Sequence, residues 1–257
     1  MSKIVNWIFL IVLAALIVAG QWISVSGWVY AAWCLIYIAV QVYGSSVLSA
    51  QYYLPVRWRG SVESRSVAIT FDDGPVAGRT DKILEILQRH KAPAAFFCIG
   101  KRVQAHPQLV NRMHGEGHLV ANHSYFHGAT FDLQLPSSIT KELADTDVVI
   151  EQAIGLKPIY FRPPYGVTNP MVATAVRKGK YVTVGWSIRS FDTVIEDRNR
   201  LLTRITRSLK GGDIILLHDH GRCTMDILPD LLNKISSLGL KIVRVDQLLN
   251  EKSYAEV

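Results

Sequence analysis

From residue 4 to residue 56 the chain carries no Lys, Arg, Asp or Glu. A stretch that long without charge is foreign to the surface of a soluble domain, so it constrains the rest of the molecule. One bilayer-spanning helix needs about 20 apolar residues, and the run from Ile4 to Ala50 is more than twice as long. Gln21, Ser24, Ser26 and the glycines at 20 and 27 interrupt it. It reads as two helices, about Ile4 to Gly20 and Trp28 to Ser49, joined by a tight turn. Trp7, Trp22, Trp28, Tyr52 and Tyr53 fall near the helix ends, where interfacial aromatics collect. Lys3 before a short apolar core also fits a cleaved signal peptide. The second apolar run argues against that, because it would still anchor the chain. A hairpin returns both ends to one side. Lys3, Arg57 and Arg59 flank the pair and the turn has no positive charge, which favours a cytoplasmic position for the remainder.

The expected organisation is a two-helix membrane anchor over residues 1–50, a linker over 51–65 and one domain over 66–257. The overall 49% hydrophobic content is concentrated in the anchor. The rest, about 200 residues, is enough for a full core. Of three cysteines, Cys34 lies in the apolar run and Cys98 in a strand-like stretch, and an odd count without close spacing argues against a disulfide framework and a thiolate zinc site. The net charge of +7 falls on the soluble part. Arg200, Arg204 and Arg207 follow helical spacing, and Arg177, Lys178 and Lys180 cluster. These are solvated helix faces by default, and beside an anchor they suit anionic membrane lipid. No motif supports nucleic-acid binding.

After the linker, short apolar strands alternate with helical patterns. The strands are expected at Ser66–Phe71, Ala94–Ile99, His118–Asn122, Ile159–Arg162, Tyr181–Gly185, Asp213–Leu217 and Lys241–Val243. The helices between them are expected at Thr80–His90, Pro107–Gly115, Ser137–Ile154, Asn169–Lys178, Asn199–Leu209 and Met225–Leu238. Val245–Glu251 would add a last helix. This is an α/β chain with a parallel sheet, open or closed into a barrel.

Polar residues collect after these strands, at the carboxyl ends where α/β sites form. The first strand ends in Thr70-Phe71-Asp72-Asp73-Gly74-Pro75. Asp is a poor strand former and Gly-Pro makes a turn, so both carboxylates sit at a strand edge, one free for a metal and the other for protons. An ordinary turn uses the same residues. The third strand is followed by His123-Ser124-Tyr125-Phe126-His127; two histidines four apart on a helical turn would share one face and reach one metal. Arg162-Pro163-Pro164-Tyr165-Gly166 follows the fourth, Trp186 to Asp192 the fifth, and Leu216-Leu217-His218-Asp219-His220 closes the sixth.

Taken in this order, the motifs resemble those of the polysaccharide deacetylase family, the carbohydrate esterases with a nodulation-type deacetylase domain, over about residues 64 to 250. The resemblance implies a distorted parallel (β/α) barrel of about seven strands. It also implies metal-dependent removal of N-acetyl groups from amino sugars. On matching positions, Asp73, His123 and His127 would hold a divalent metal, zinc first among divalent transition metals. Asp72 would be the base that deprotonates the attacking water, and Arg162 would orient it by charge pairing. The backbone N–H of Tyr165 would receive the oxyanion. His218 would protonate the leaving amine, with Asp192 steadying His218.

One motif departs from the family pattern: Arg189 stands where an acid is usual and Thr193 where a tryptophan is. This changes the pocket wall and with it the expected substrate. His106, His114, His118 and His220 match no catalytic position and are expected on the surface or in packing. The leading expectation is a hydrolase anchored in the cytoplasmic membrane and acting on an N-acetylated glycan of chitooligosaccharide or peptidoglycan type. For the side of the membrane, the charge pattern favours the cytoplasm and a lipid-linked amino sugar, whereas the family favours the outside. An O-acetyl esterase and a silent glycan-binding protein are the alternatives.

Overall fold

The computed structural model describes residues 1–256. Helices α1 (Ser2–Ala19) and α2 (Gly27–Ser46) form an antiparallel hairpin, each long and apolar enough to cross a membrane. Phe9 stacks on Tyr37 at 4.1 Å, and the Trp33 indole N–H donates to the Phe9 carbonyl at 3.2 Å. Most outward side chains are apolar and exposed, among them Leu10, Ile11, Leu35 and Ile36.

The remainder alternates strand and helix: β1 (Ser66–Gly74), α3 (Thr80–Arg89), β2 (Ala95–Cys98), α4 (Gly100–Ala105), α5 (Pro107–Gly115) and β3 (Leu119–Asn122) come first. Then follow α6 (Pro136–Ile154), β4 (Tyr160–Phe161), α7 (Pro170–Gly179), β5 (Val182–Thr183), β6 (Ile188–Arg189), α8 (Arg198–Thr206), β7 (Ile214–His218), α9 (Thr224–Ser237), β8 (Lys241–Ile242) and α10 (Val245–Leu249). All pairings are parallel, in the order β5-β4-β3-β2-β1-β7-β6, with β8 beside the start of β1. Helix starts follow from local chemistry. Asn169 accepts from the Val172 N–H just before Pro170, and Asp197 accepts from the Arg200 N–H.

The sheet curls into a distorted barrel. No helix separates β5 from β6, because they are two ends of one extended stretch. The Val184 N–H still donates to Phe161 of β4, and three residues later the Ser187 N–H donates to Ile214 of β7. That stretch spans the gap between the two sheet edges, which accounts for the unexpected strand at 188–189. Along β1 the side chains alternate. Val67, Ile69 and Phe71 pack outward against helices, whereas Ala68 faces inward with Ala95, Phe97, Tyr160 and Ile214.

The segment expected as a linker is laid onto the barrel. Tyr52, Leu54 and Val56 are buried, and Leu54 and Val56 share a core cluster with Leu48, Phe131, Phe161 and Val176. The Arg57 N–H donates to Thr183 and its carbonyl accepts from Gly185, so this segment covers the free edge of β5.

Candidate active site

Two neighbouring residues on a regular strand point to opposite faces. Asp72 and Asp73 escape that rule through a bulge. Asp72 pairs with Phe97 and Gly74 with Cys98, which leaves Asp73 as the extra residue at φ 69°. Asp72 therefore continues the inward row of Ala68 and Thr70, while Asp73 turns back toward the same mouth. Gly74 is obligatory there, because a Cβ would meet the Asp219 carboxylate at 2.6 Å.

Arg162 is fully buried and fixes Asp72. Its Nη1 donates to Asp72 Oδ1 at 2.6 Å and to Thr70 Oγ1 at 2.9 Å. Nε and Nη2 donate to the Val184 and Gly185 carbonyls, and the guanidinium lies 4.1 Å from the Phe97 ring centre. A buried cation survives only when paired this fully. Asp72 Oδ2 remains turned to the mouth, 3.7 Å from His123 Nε2.

The two histidines do not lie on a helix. They sit on a loop after β3 in which Ser124 and His127 take φ values of 65° and 53°. Buried polar groups hold this loop. Asn122 accepts from the Ser124 N–H and donates to Asp147, and the Glu142 carboxylate accepts from the N–H groups of Tyr125 and Phe126. Burial pushes the Asp147 carboxyl up to about 6, against the pull of its hydrogen bonds from Tyr181 and Asn122. The His123 Nδ1–Arg162 carbonyl contact of 2.8 Å engages one ring nitrogen and leaves Nε2 for the mouth.

Asp73 Oδ1 lies 3.5 Å from His123 Nε2 and 3.3 Å from His127 Nε2. These three donors are within 4.8 Å of one another. Asp73 Oδ1 is buried and has no hydrogen-bond partner among the described residues. One orphaned carboxylate oxygen converging with two imidazole nitrogens fits a divalent cation, with room for further ligands. Burial by itself would raise the Asp73 carboxyl, but the neighbouring His123 and His127 imidazoles hold it well below the carboxylate range.

Opposite Asp72 in the β1–β7 ladder stands His218. Its Nδ1 is 2.8 Å from Asp192 Oδ1, and its N–H donates to Asp192 Oδ2 at 2.8 Å. Ser190 and Thr224 complete the fully buried Asp192. Burial works to lower the His218 imidazole, but the hydrogen bond and charge of Asp192 prevail and raise it. Tyr165 adopts φ 59°, is half exposed, and its N–H has no acceptor among the described residues. Its hydroxyl donates to the His127 carbonyl at 3.3 Å.

Of the eight site residues expected from the sequence, six line one mouth, and the fully buried Arg162 and Asp192 stand behind Asp72 and His218. Two corrections concern other residues. His220 is exposed, as expected of a surface residue, but it stands at the rim of the mouth, its Nδ1 3.5 Å from Asp73 Oδ2. Asp219, given no role beforehand, is fully buried, bonds Thr80, and donates its N–H to the Asp72 carbonyl; burial pushes its carboxyl up to about 7. His118 packs in the interior as expected, with burial lowering its imidazole to about 4. Two clefts leave the mouth. One, of about 740 Å³, passes Lys101, Arg102 and Phe126; the other, of about 320 Å³, is walled by Trp186, Arg189, Phe191 and Thr193.

Comparison with known proteins agrees with this geometry. The polysaccharide deacetylase family model matches residues 59–184. The chain is 33% identical over 206 residues to the peptidoglycan-N-acetylglucosamine deacetylase of Bacillus cereus, covering 77% of this chain and 94% of that one. It is 35% identical over 158 residues to the chitooligosaccharide deacetylase of a Bradyrhizobium strain, covering 61% and 71%. The solved structure of the Bacillus subtilis peptidoglycan deacetylase PdaC superposes with a TM-score of 0.67 at 31% identity, over 73% of this chain and 91% of that chain. The chain spans only 40% of full-length PdaC. The chain belongs to the polysaccharide deacetylase family, a family of metal-dependent carbohydrate esterases.

Proposed function

We propose that the protein is a membrane-anchored, metal-dependent hydrolase that removes N-acetyl groups from amino sugars of a peptidoglycan- or chitooligosaccharide-type glycan. One observation carries this: a carboxylate fixed by Arg162 and an imidazole fixed by Asp192 face each other across the β1–β7 ladder, beside the Asp73–His123–His127 donors. That is a base and an acid on either side of one cation site, the minimum for amide hydrolysis.

A divalent cation on Asp73, His123 and His127, zinc or another transition metal, supplies Lewis acidity toward the acetyl carbonyl and toward water. Asp72 Oδ2 takes the proton of the attacking water, since Oδ1 is engaged by Arg162. The Tyr165 N–H donates to the carbonyl oxygen as it gains charge. His218, whose protonated form Asp192 favours, gives its free ring nitrogen's proton to the departing amine. The nitrogen would otherwise leave as an anion, and the carbon–nitrogen bond would not break. The hairpin would hold the domain at a bilayer, because the outer faces of α1 and α2 are apolar and carry no charge beyond Lys3 at the start of α1.

The test is acetate release by the full chain in nanodiscs, from N-acetylglucosamine oligomers, peptidoglycan fragments, O-acetylated polymers and lipid-linked amino sugars. Acetate from an N-acetylated glycan that vanishes in Asp72→Asn is expected. Release from O-acetylated polymers alone would overturn the N-deacetylase assignment. A C-terminal reporter fusion decides the side of the membrane: an active extracytoplasmic reporter accords with a wall glycan, an active cytoplasmic one with a lipid-linked sugar.

A further inference from the structure

The last four carbonyls of a helix have no partners within it. At the end of α2, the Tyr43 carbonyl is taken by the Val47 N–H, and the Ser45 carbonyl by Thr168, whose N–H donates at 3.0 Å from the catalytic domain. Ser45 returns the contact, its hydroxyl donating to the Thr168 carbonyl at 2.6 Å. Thr168 is buried, and three residues before it stands Tyr165, a residue of the mouth in the left-handed conformation whose N–H has no acceptor among the described residues. Three residues of chain span at most about 10 Å, so the end of the second apolar helix braces the loop that carries the oxyanion donor.

A second path runs from the same helix end. Leu48 and Val56 pack on Gly185 so closely that a Cβ there would meet Val56 at 3.0 Å and Leu48 at 3.1 Å. The Gly185 carbonyl accepts from Arg162 Nη2 at 2.8 Å, and Arg162 holds Asp72. The hairpin is itself tied to this packing. The Gln41 amide donates to the Tyr52 hydroxyl, the Tyr53 hydroxyl donates back to Gln41, and the Ser2 N–H donates to the Tyr52 carbonyl. A glutamine inside an apolar helix is costly unless satisfied, and here its partners are residues of the segment that leads into the barrel. Gly44 admits the Tyr52 ring, since a Cβ would meet it at 2.4 Å.

We infer that the end of α2 is part of the catalytic framework and that Ser45 is a positioning residue for the Tyr165 loop, not merely the end of a tether. This rests on the hydrolase reading for its effect on rate but not for its mechanics. The Ser45–Thr168 contact is local, one side chain to one loop, so its loss leaves the second path, the metal donors and the barrel in place.

The full chain in nanodiscs would be compared with Ser45→Ala and Ser45→Thr by two readouts: steady-state deacetylation and amide hydrogen exchange. In Ser45→Ala, kcat should fall about fivefold, the rate equivalent of one lost hydrogen bond, with KM and zinc affinity unchanged. Exchange of residues 165–168 should quicken by about the same factor, while β2 and β3 keep their protection. Ser45→Thr should restore both. Unchanged exchange at 165–168, or an unchanged kcat in an active enzyme, would overturn the inference, as would an equal loss of protection across the whole barrel. If the unaltered chain releases no acetate while the exchange difference stands, the hydrolase reading fails and the bracing survives.

Discussion

The two sides of the mouth are built to different degrees of completion. On the His218 side, Asp192 is satisfied on both oxygens by His218, Ser190 and Thr224, and the dyad is finished by protein alone. On the Asp73 side, a buried carboxylate oxygen has no donor among the described residues and two imidazole nitrogens converge on it. That side also carries more strained backbone, with positive φ at Asp73, Ser124 and His127 against Phe191 alone beside Asp192. The acid side is complete as a folded object, whereas the metal side is complete only as a ligand set. Substitutions on the two sides should therefore fail differently, one in the proton inventory and one in metal affinity.

The largest effect is expected for His127→Ala, which removes one of three protein donors. Zinc affinity, measured by competition with a chromogenic chelator, should fall well beyond the 10–100-fold that supporting residues cost, and acetate release should be lost with it. Next is His218→Ala, for which kcat should drop about 10²–10⁴-fold, the range of general acid catalysis, with zinc affinity retained. If that variant also lost zinc, the separation of the two sides would break.

Asp192→Asn is a subtler test of the same dyad. The Asp192 anion raises His218 above an ordinary imidazole, so the protonated acid persists to higher pH and activity falls as pH rises through that raised value. Removing the anion should move the alkaline limb of the kcat profile to lower pH, and a limb that stays put would assign it to another group. The smallest effect is expected at His220, which reaches the outer oxygen of Asp73 and packs edge-on against the His218 ring. His220→Ala should weaken zinc about tenfold and leave kcat near normal once zinc is saturating.

The parallel α/β alternation and the residues that ring the mouth were legible because each motif follows an apolar strand. What escaped was the backbone that joins them. The alternation rule would have separated Asp72 from Asp73, and only the pairing of Gly74 with Cys98 reveals the bulge that reunites them. The spacing of His123 and His127 suits a helical turn. Ser124 and His127 instead take left-handed conformations, stabilised by Asn122 and Glu142. Glu142 lies 15 residues beyond His127 in sequence, on the buried face of α6; an acid at an apolar-face position was its one visible signal. His220 escaped because its contact runs to Asp73 on another strand. The packing of residues 48–57 was hidden for a similar reason: an uncharged segment beside an apolar anchor looks the same whether lipid or a barrel covers it.

The most direct test of the central claim is acetate release from an N-acetylated peptidoglycan fragment by the full chain, assayed as purified, after chelation, and after zinc is restored. Activity abolished by the chelator and recovered with zinc is the expected result. Deacetylation that persists undiminished in the chelated protein, with zinc shown to be absent, would contradict a site organised around Asp73, His123 and His127.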